Sequence, residues 1–274
     1  MNKIDIIIFA GQSNMQGETE VLSENDIVDG AFEYKYINNS IVSLKNPVGE
    51  NITCEKASGK DFNNGDDLSL WLDTHLTGSS VAGHTNMVPE FCRKYIEATS
   101  KHVLAIHIAK RCTKIDYWLP EADGYVFLKE KVIAAKKFIE YEYIVENIFV
   151  VWLQGESDQI VGKTKQIYKR QIIHFKDALK KDIGIDRFGI IRVGRFTNDE
   201  RDMEIIDAQD EVCIENDDFL MLTQAAVKLN QLPEYMNPFV AGHYSAKGLE
   251  KLGKEGGRTL GAYVSGQQKV KEVQ

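Results

Sequence analysis

Ile4-Asp-Ile-Ile-Ile-Phe-Ala-Gly-Gln-Ser-Asn-Met15 is the stretch from which the fold can be read. Ile6 to Phe9 is an unbroken apolar run, which fits a strand covered on both faces in a parallel sheet. Gly11 permits a sharp turn at the strand's carboxyl end, and Gln12, Ser13 and Asn14 follow it. In open α/β sheets ligands bind outside the carboxyl ends of the strands, so Ser13 stands where a nucleophile would be presented. Taken alone, a polar strand-to-loop turn with no chemistry accounts for the stretch equally well.

Two later stretches shift that balance. Asn147-Ile-Phe-Val-Val-Trp-Leu-Gln-Gly-Glu-Ser-Asp158 repeats the design, a buried strand ending in Gln154, Gly155, Glu156, Ser157 and Asp158. Gly242-His-Tyr-Ser-Ala-Lys-Gly248 places His243 just ahead of a last helix, with Ser245 as its cap and its end near Val264. Between these landmarks, helical periodicity over 89–100, 121–146, 163–181 and 200–213 alternates with strand-like runs near 33–37, 103–109, 147–153, 188–194 and 219–223. This alternation predicts an α/β fold, a doubly wound sheet of about five parallel strands flanked by helices and joined by right-handed crossovers. Residues 1–264 read as a single domain and 265–274 as a polar tail. Residues 18–80 are the least regular part, long loops with short apolar pieces such as Leu68 to Leu72.

The GQSNM block, the WLQGESD block and the late histidine resemble, in matching order over about residues 4 to 261, the SGNH-type hydrolases. More narrowly they resemble the carbohydrate esterases that include sialate O-acetylesterases and acetyl xylan esterases. The resemblance implies a flavodoxin-like SGNH hydrolase fold and hydrolysis of O-acetyl esters on a small molecule or oligosaccharide, with no cofactor and no metal.

Composition sets outer bounds on that reading. The chain has 274 residues and a net charge of −8, from 33 Lys and Arg against 41 Asp and Glu. That balance disfavours nucleic acid, whose phosphates call for a basic patch, and no Lys/Arg cluster is interleaved with aromatics. No apolar run reaches membrane-spanning length. Met1 to Lys3 lead straight into the first strand, without the pattern of a secretory signal. Cys54, Cys92, Cys112 and Cys213 are scattered and match no zinc spacing. The expectation is reduced thiols in a cytoplasmic protein.

Ester hydrolysis needs a nucleophile, a base to take its proton, and donors for the oxyanion. Ser13 is the nucleophile candidate. His243 is the best placed of six histidines to serve it, while His102 and His107, next to and inside a strand, fit structural roles. In the resembling enzymes the Gln of the QGE block lies at the oxyanion, which makes Gln154 a donor candidate together with the N–H of Ser13. Gln12, Asn14 and Arg111 are further candidates for holding substrate, although Asn14 fits a turn-shaping role better. Many relatives carry Asp three residues before the His; here that position is Val240. Glu156 is the favoured substitute, Asp158 the next, and a dyad helped by a backbone carbonyl remains open. Relatives often have Gly-Gly-Thr where this chain has Arg111-Cys112-Thr113, so Arg111 either alters the oxyanion pocket or selects an acidic ligand. Trp118 suits a sugar face or the core equally. The competing class is a catalytically weak or inactive carbohydrate-binding or interaction protein on the same scaffold.

Overall fold

A computed structural model describes residues 1–21, 27–50 and 85–266. The apolar piece at Leu68–Leu72, Cys54, the rest of the irregular region 18–80 from residue 51 on, and the tail beyond residue 266 lie outside the described residues.

The sheet has seven strands, two more than expected. They are β1 (Asn2–Gly11), β2 (Ala31–Lys35), β3 (Ser40–Ser43), β4 (His102–Ala109), β5 (Tyr143–Leu153), β6 (Arg187–Ile191) and β7 (Phe219–Thr223). Their order is β3-β2-β4-β1-β5-β6-β7, all parallel except β3, which pairs with β2 in a hairpin. The chain leaves β1 towards β2 on one side, whereas β4 is followed by β5 on the other. The crevice at the carboxyl end of β1, between β4 and β5, is therefore the topological switch point where ligands bind in such sheets.

β1 earns its central place from composition: Ile4 and Ile6 to Ala10 are all buried, as a strand covered on both faces requires. One face is closed by α2 (Val88–Thr99) and α8 (Ala246–Val264), with Phe9 edge-on to Phe91 at 5.2 Å. The other is closed by α3 (Asp123–Ile139), α5 (Lys165–Asp182) and α6 (Glu200–Glu215), over an aromatic run in which Trp152 meets Trp118 at 5.5 Å and Phe175 at 5.1 Å. Short α1 (Ser13–Gln16), α4 (Glu156–Ile160) and α7 (Ala226–Leu229) complete the set among the described residues.

Small residues let α8 approach α2 closely. A Cβ added at Gly253 would lie 2.4 Å from the Met87 carbonyl oxygen, and one at Gly257 2.2 Å from that of Phe91. This docking fixes the start of α8, where Ser245 Oγ accepts from Gly248 N at 3.2 Å, and so delivers the segment that carries His243.

Three boundaries differ from expectation. α3 stops at Ile139 and β5 begins at Tyr143, because Tyr143 to Glu146 alternates in burial as a strand extension beside Asn2 to Ile4. β2 covers 31–35 and β6 covers 187–191, each shifted towards its neighbour's register. The four-residue edge strand β3 was too short for periodicity to reveal.

Candidate active site

β1, β4 and β5 end at the same rim. Gly11 (φ +156°) is the reason β1 and β5 can close so tightly there, since an added Cβ would lie 2.0 Å from the Leu153 carbonyl oxygen. Gln12 N then donates to that oxygen at 3.2 Å, and Ser13 opens α1, buried beneath the rim. No hydrogen bond from the Ser13 N–H to a described residue occupies it.

Asn14 is the organising side chain. Its Nδ2 donates to Glu156 Oε1 at 2.7 Å and, more weakly, to Gly242 O at 3.5 Å, while its Oδ1 accepts from Tyr244 N at 3.1 Å. One amide beside Ser13 thus holds the β5 loop and both neighbours of His243. The sequence candidates Asn14, Glu156 and the loop of His243 are tied together by it beside Ser13, and the side chain expected to shape its own turn instead bonds these distant loops. Gln12 does related work, its Oε1 accepting from Ser157 N at 3.3 Å and Gly155 N at 3.5 Å.

The His243 ring contacts the Ala241 carbonyl oxygen through Nδ1 at 2.9 Å. A carbonyl only accepts, so Nδ1 carries a proton, and in the neutral ring the lone pair is left to Nε2. Nε2 is shielded and makes no hydrogen bond with a described residue. Glu156 is not the partner of this ring. Its Oε1 is taken by Asn14, its Oε2 has no described partner, and burial holds its carboxyl above the ordinary carboxylate range. Asp158 is further engaged elsewhere: it accepts from Ile115 N at 3.0 Å and pairs with Lys163 at 2.8 Å, and burial raises it too. The backbone carbonyl takes the orienting place that Glu156 or Asp158 was expected to fill.

Gln154 also departs from expectation. It is fully buried; its Nε2 donates to Thr113 O at 2.9 Å and to Asp158, and its Oε1 accepts from Tyr168 at 3.1 Å. An amide so committed ties β5 to the β4 loop and has no donor left for substrate. Trp118 resolves to the core reading, fully buried with Nε1 donating to Thr113 Oγ1 at 3.1 Å. Cys112 adopts φ +57°, the left-handed region that suits glycine, and its side chain is exposed. Arg111 is exposed at the rim, Nη1 3.7 Å from Glu18 Oε1.

Glu18 is the residue that sequence reading missed. Its Oε2 lies 3.5 Å from His243 Nε2. Only its position five residues beyond Ser13, on the nucleophile's own loop, hinted at it. His107 is structural as expected: buried, donating through Nε2 to Met15 O at 3.0 Å, and pushed by burial down to about 4. Among the described residues no group of three His, Cys, Asp or Glu side chains is arranged to hold a metal ion, and no helix is long and apolar enough to cross a membrane.

A doubly wound α/β fold with a buried serine, a histidine and two carboxylates gathered at its switch point has the layout of a hydrolase. The chain belongs to the carbohydrate esterase, sialic acid-specific acetylesterase family, whose profile matches residues 3–259. It is thereby a carboxylic ester hydrolase of the carbohydrate acetylesterase group. No curated protein matches its sequence. Similar solved structures are a protein from Arabidopsis thaliana (TM-score 0.62, 14% identity, 95% of this chain and 98% of that one) and NanS (TM-score 0.66, 12% identity, 97% and 99%). A carbohydrate acetylesterase from Xanthomonas citri matches with a TM-score of 0.55 and 13% identity, over 97% of this chain and 57% of that one. At these identities the likeness bears on the fold.

Proposed function

We propose that the chain is a serine esterase that removes acetyl groups from an O-acetylated carbohydrate through an acyl-enzyme on Ser13. The observation that carries this reading is the Asn14 clasp, which fixes the residues on either side of His243 against the loop of Ser13. In the proposed cycle Ser13 Oγ attacks the ester carbonyl and His243 Nε2 takes the hydroxyl proton. The Nδ1 contact with Ala241 keeps the lone pair on Nε2 for this purpose. The oxyanion is met by the N–H of Ser13, which no described residue occupies, and by main-chain N–H groups of the Arg111-Cys112 turn, now that the Gln154 amide is committed. One such donor contributes about 3 kcal/mol of barrier reduction. Collapse breaks the C–O bond, the sugar hydroxyl leaves with the proton from Nε2, and water repeats the sequence to release acetate.

Arg111, half exposed at the rim, suits the carboxylate of an acidic sugar. In that case Arg111→Ala weakens hydrolysis of an anionic acetyl ester more than that of a neutral one, and equal losses remove the assignment. Cys92, Cys112 and Cys213 are free thiols, in keeping with the reducing compartment of a cytoplasmic enzyme. The test of the reading as a whole is p-nitrophenyl acetate hydrolysis by wild type and Ser13→Ala: activity must vanish in the variant, and unchanged turnover excludes Ser13. A second reading, a carbohydrate-binding protein without turnover, draws on Val240 and on the committed Gln154 amide. It requires acetylated-sugar binding with no acetate released.

A further inference from the structure

We infer that Glu18 is the carboxylate that steadies the His243 imidazolium during turnover, a positioning residue in the place left open by Val240. The inference rests on the Ser13–His243 reading above.

Glu18 is held at both backbone ends. Its N–H donates to Ser13 O at 3.3 Å and its carbonyl accepts from Asn237 Nδ2 at 3.0 Å. Asn237 in turn donates from its backbone N–H to His243 O at 2.8 Å, and its Oδ1 accepts from Phe239 N and Val240 N at 2.9 and 3.2 Å. The nucleophile's loop and the histidine's loop are thus one hydrogen-bonded unit, with Glu18 at its joint. From there the side chain points between two basic groups: Oε2 is 3.5 Å from His243 Nε2 and Oε1 is 3.7 Å from Arg111 Nη1. The carboxylate and the ring are both largely shielded, with 18% and 13% of their side chains exposed, so screening between them is weak.

Among the described residues neither His243 Nε2, which faces Glu18 Oε2, nor Glu18 Oε1, which faces Arg111, has a hydrogen-bond partner. When Nε2 takes the Ser13 proton, the ring becomes a cation beside a carboxylate already braced by Arg111. Glu18 accepts no proton; it only lowers the energy of the charged ring. In triads the acid both orients the imidazole and stabilises its charge. Here the two duties are divided: the Ala241 carbonyl fixes the tautomer and Glu18 supplies the charge. Glu156 faces the same ring from the β5 loop across Asn14, close enough for the charges to interact, but its one bonded oxygen is spent on Asn14.

Glu18→Gln keeps the shape and removes the charge. Its expected kcat/KM on p-nitrophenyl acetate is roughly 10- to 100-fold below wild type, less than the ~10⁴-fold lost when an acid that also sets the tautomer is removed. The acid limb of its pH–rate profile moves to lower pH, because a ring without its carboxylate neighbour holds a proton less readily. A merely structural Glu18 lowers the plateau and leaves the limb in place. Full activity in Glu18→Gln, or a loss with an unmoved limb, overturns the inference. Glu18→Asp serves if the Gln variant fails to fold: a smaller loss with the limb displaced the same way supports the inference, and wild-type behaviour overturns it. Ser13→Ala and His243→Ala run alongside. If they too stay active, the underlying reading has failed; if they are dead while Glu18→Gln matches wild type, only the role of Glu18 falls.

Discussion

Replacing Asn14 by Asp keeps the side chain's shape and reverses one of its bonds. In the wild type Nδ2 donates to Glu156 Oε1 at 2.7 Å; in the variant a carboxylate oxygen meets a carboxylate oxygen at that point, in a buried place. Two like charges so close repel by about 6 kcal/mol even at an effective dielectric constant of 20. The pair escapes this by binding one proton, after which the acid O–H can restore the bond. The cost at pH 7 is then that of protonating one carboxyl of ordinary affinity near 4.5, about 3 kcal/mol at about 1.4 kcal/mol per pH unit. The folded variant holds one proton more than its unfolded chain over this range, so its stability falls as pH rises. Glu156 alone gives the wild type the same sign, since burial holds it above its usual range, and the informative quantity is the difference between the two proteins. Urea unfolding at pH 5, 6, 7 and 8 measures it. The expected deficit is about 3 kcal/mol at pH 7, shrinking towards zero near pH 4.5. A variant as stable as wild type at pH 8, or a deficit that does not change with pH, refutes the claim that Asn14 clasps Glu156 and the His243 loop together.

Two further outcomes follow from buried groups near the site. His107 sits at about 4 when folded against 6.5 in its ordinary state, so the unfolded chain takes its proton first; stability present above pH 6.5 is lost as pH falls towards 4, by up to about 3 kcal/mol. His107→Gln flattens the acid side of the stability curve in that window, and an unchanged curve contradicts the assignment. Gly11→Ala drives a Cβ to 2.0 Å from the Leu153 oxygen at a positive φ, and the denaturation midpoint should fall by the equivalent of at least about 3 kcal/mol; an unmoved midpoint shows that β1 and β5 do not close as described.

The framework was legible because it depends on local pattern. The Ile6–Phe9 and Phe149–Leu153 runs fit strands covered on both faces, and Ser245 with Gly248 announced the start of α8 where it begins. The same logic failed at β3, four residues long, and at Tyr143, where strand and helix periods fit the same letters. In the site, Ser13 and Asn14 were candidates because they follow directly on β1, and His243 because it stands just ahead of α8. Gln154 was assigned to the ligand and Trp118 left open between ligand and core for a common reason: a polar or aromatic residue near a strand end reads the same whether it faces ligand or core, and only the partners Thr113, Asp158 and Tyr168 decide it. Glu156 matched the chemistry of a triad acid, but its partner was set by a 142-residue separation from Asn14 that no local pattern encodes. Glu18 was invisible for the complementary reason, as one acidic residue among many, and although a backbone carbonyl behind the ring was an open alternative, nothing marked it as that of Ala241, which has no side-chain signature.

The central claim is that Ser13 is a nucleophile activated by His243. Intact mass and peptide mapping after exposure to a fluorophosphonate measure this without assuming a substrate. One adduct per chain, confined to the peptide containing Ser13 and abolished in His243→Ala, is the predicted result. An active esterase whose adduct lies on any other residue, or which labels equally well without His243, contradicts it.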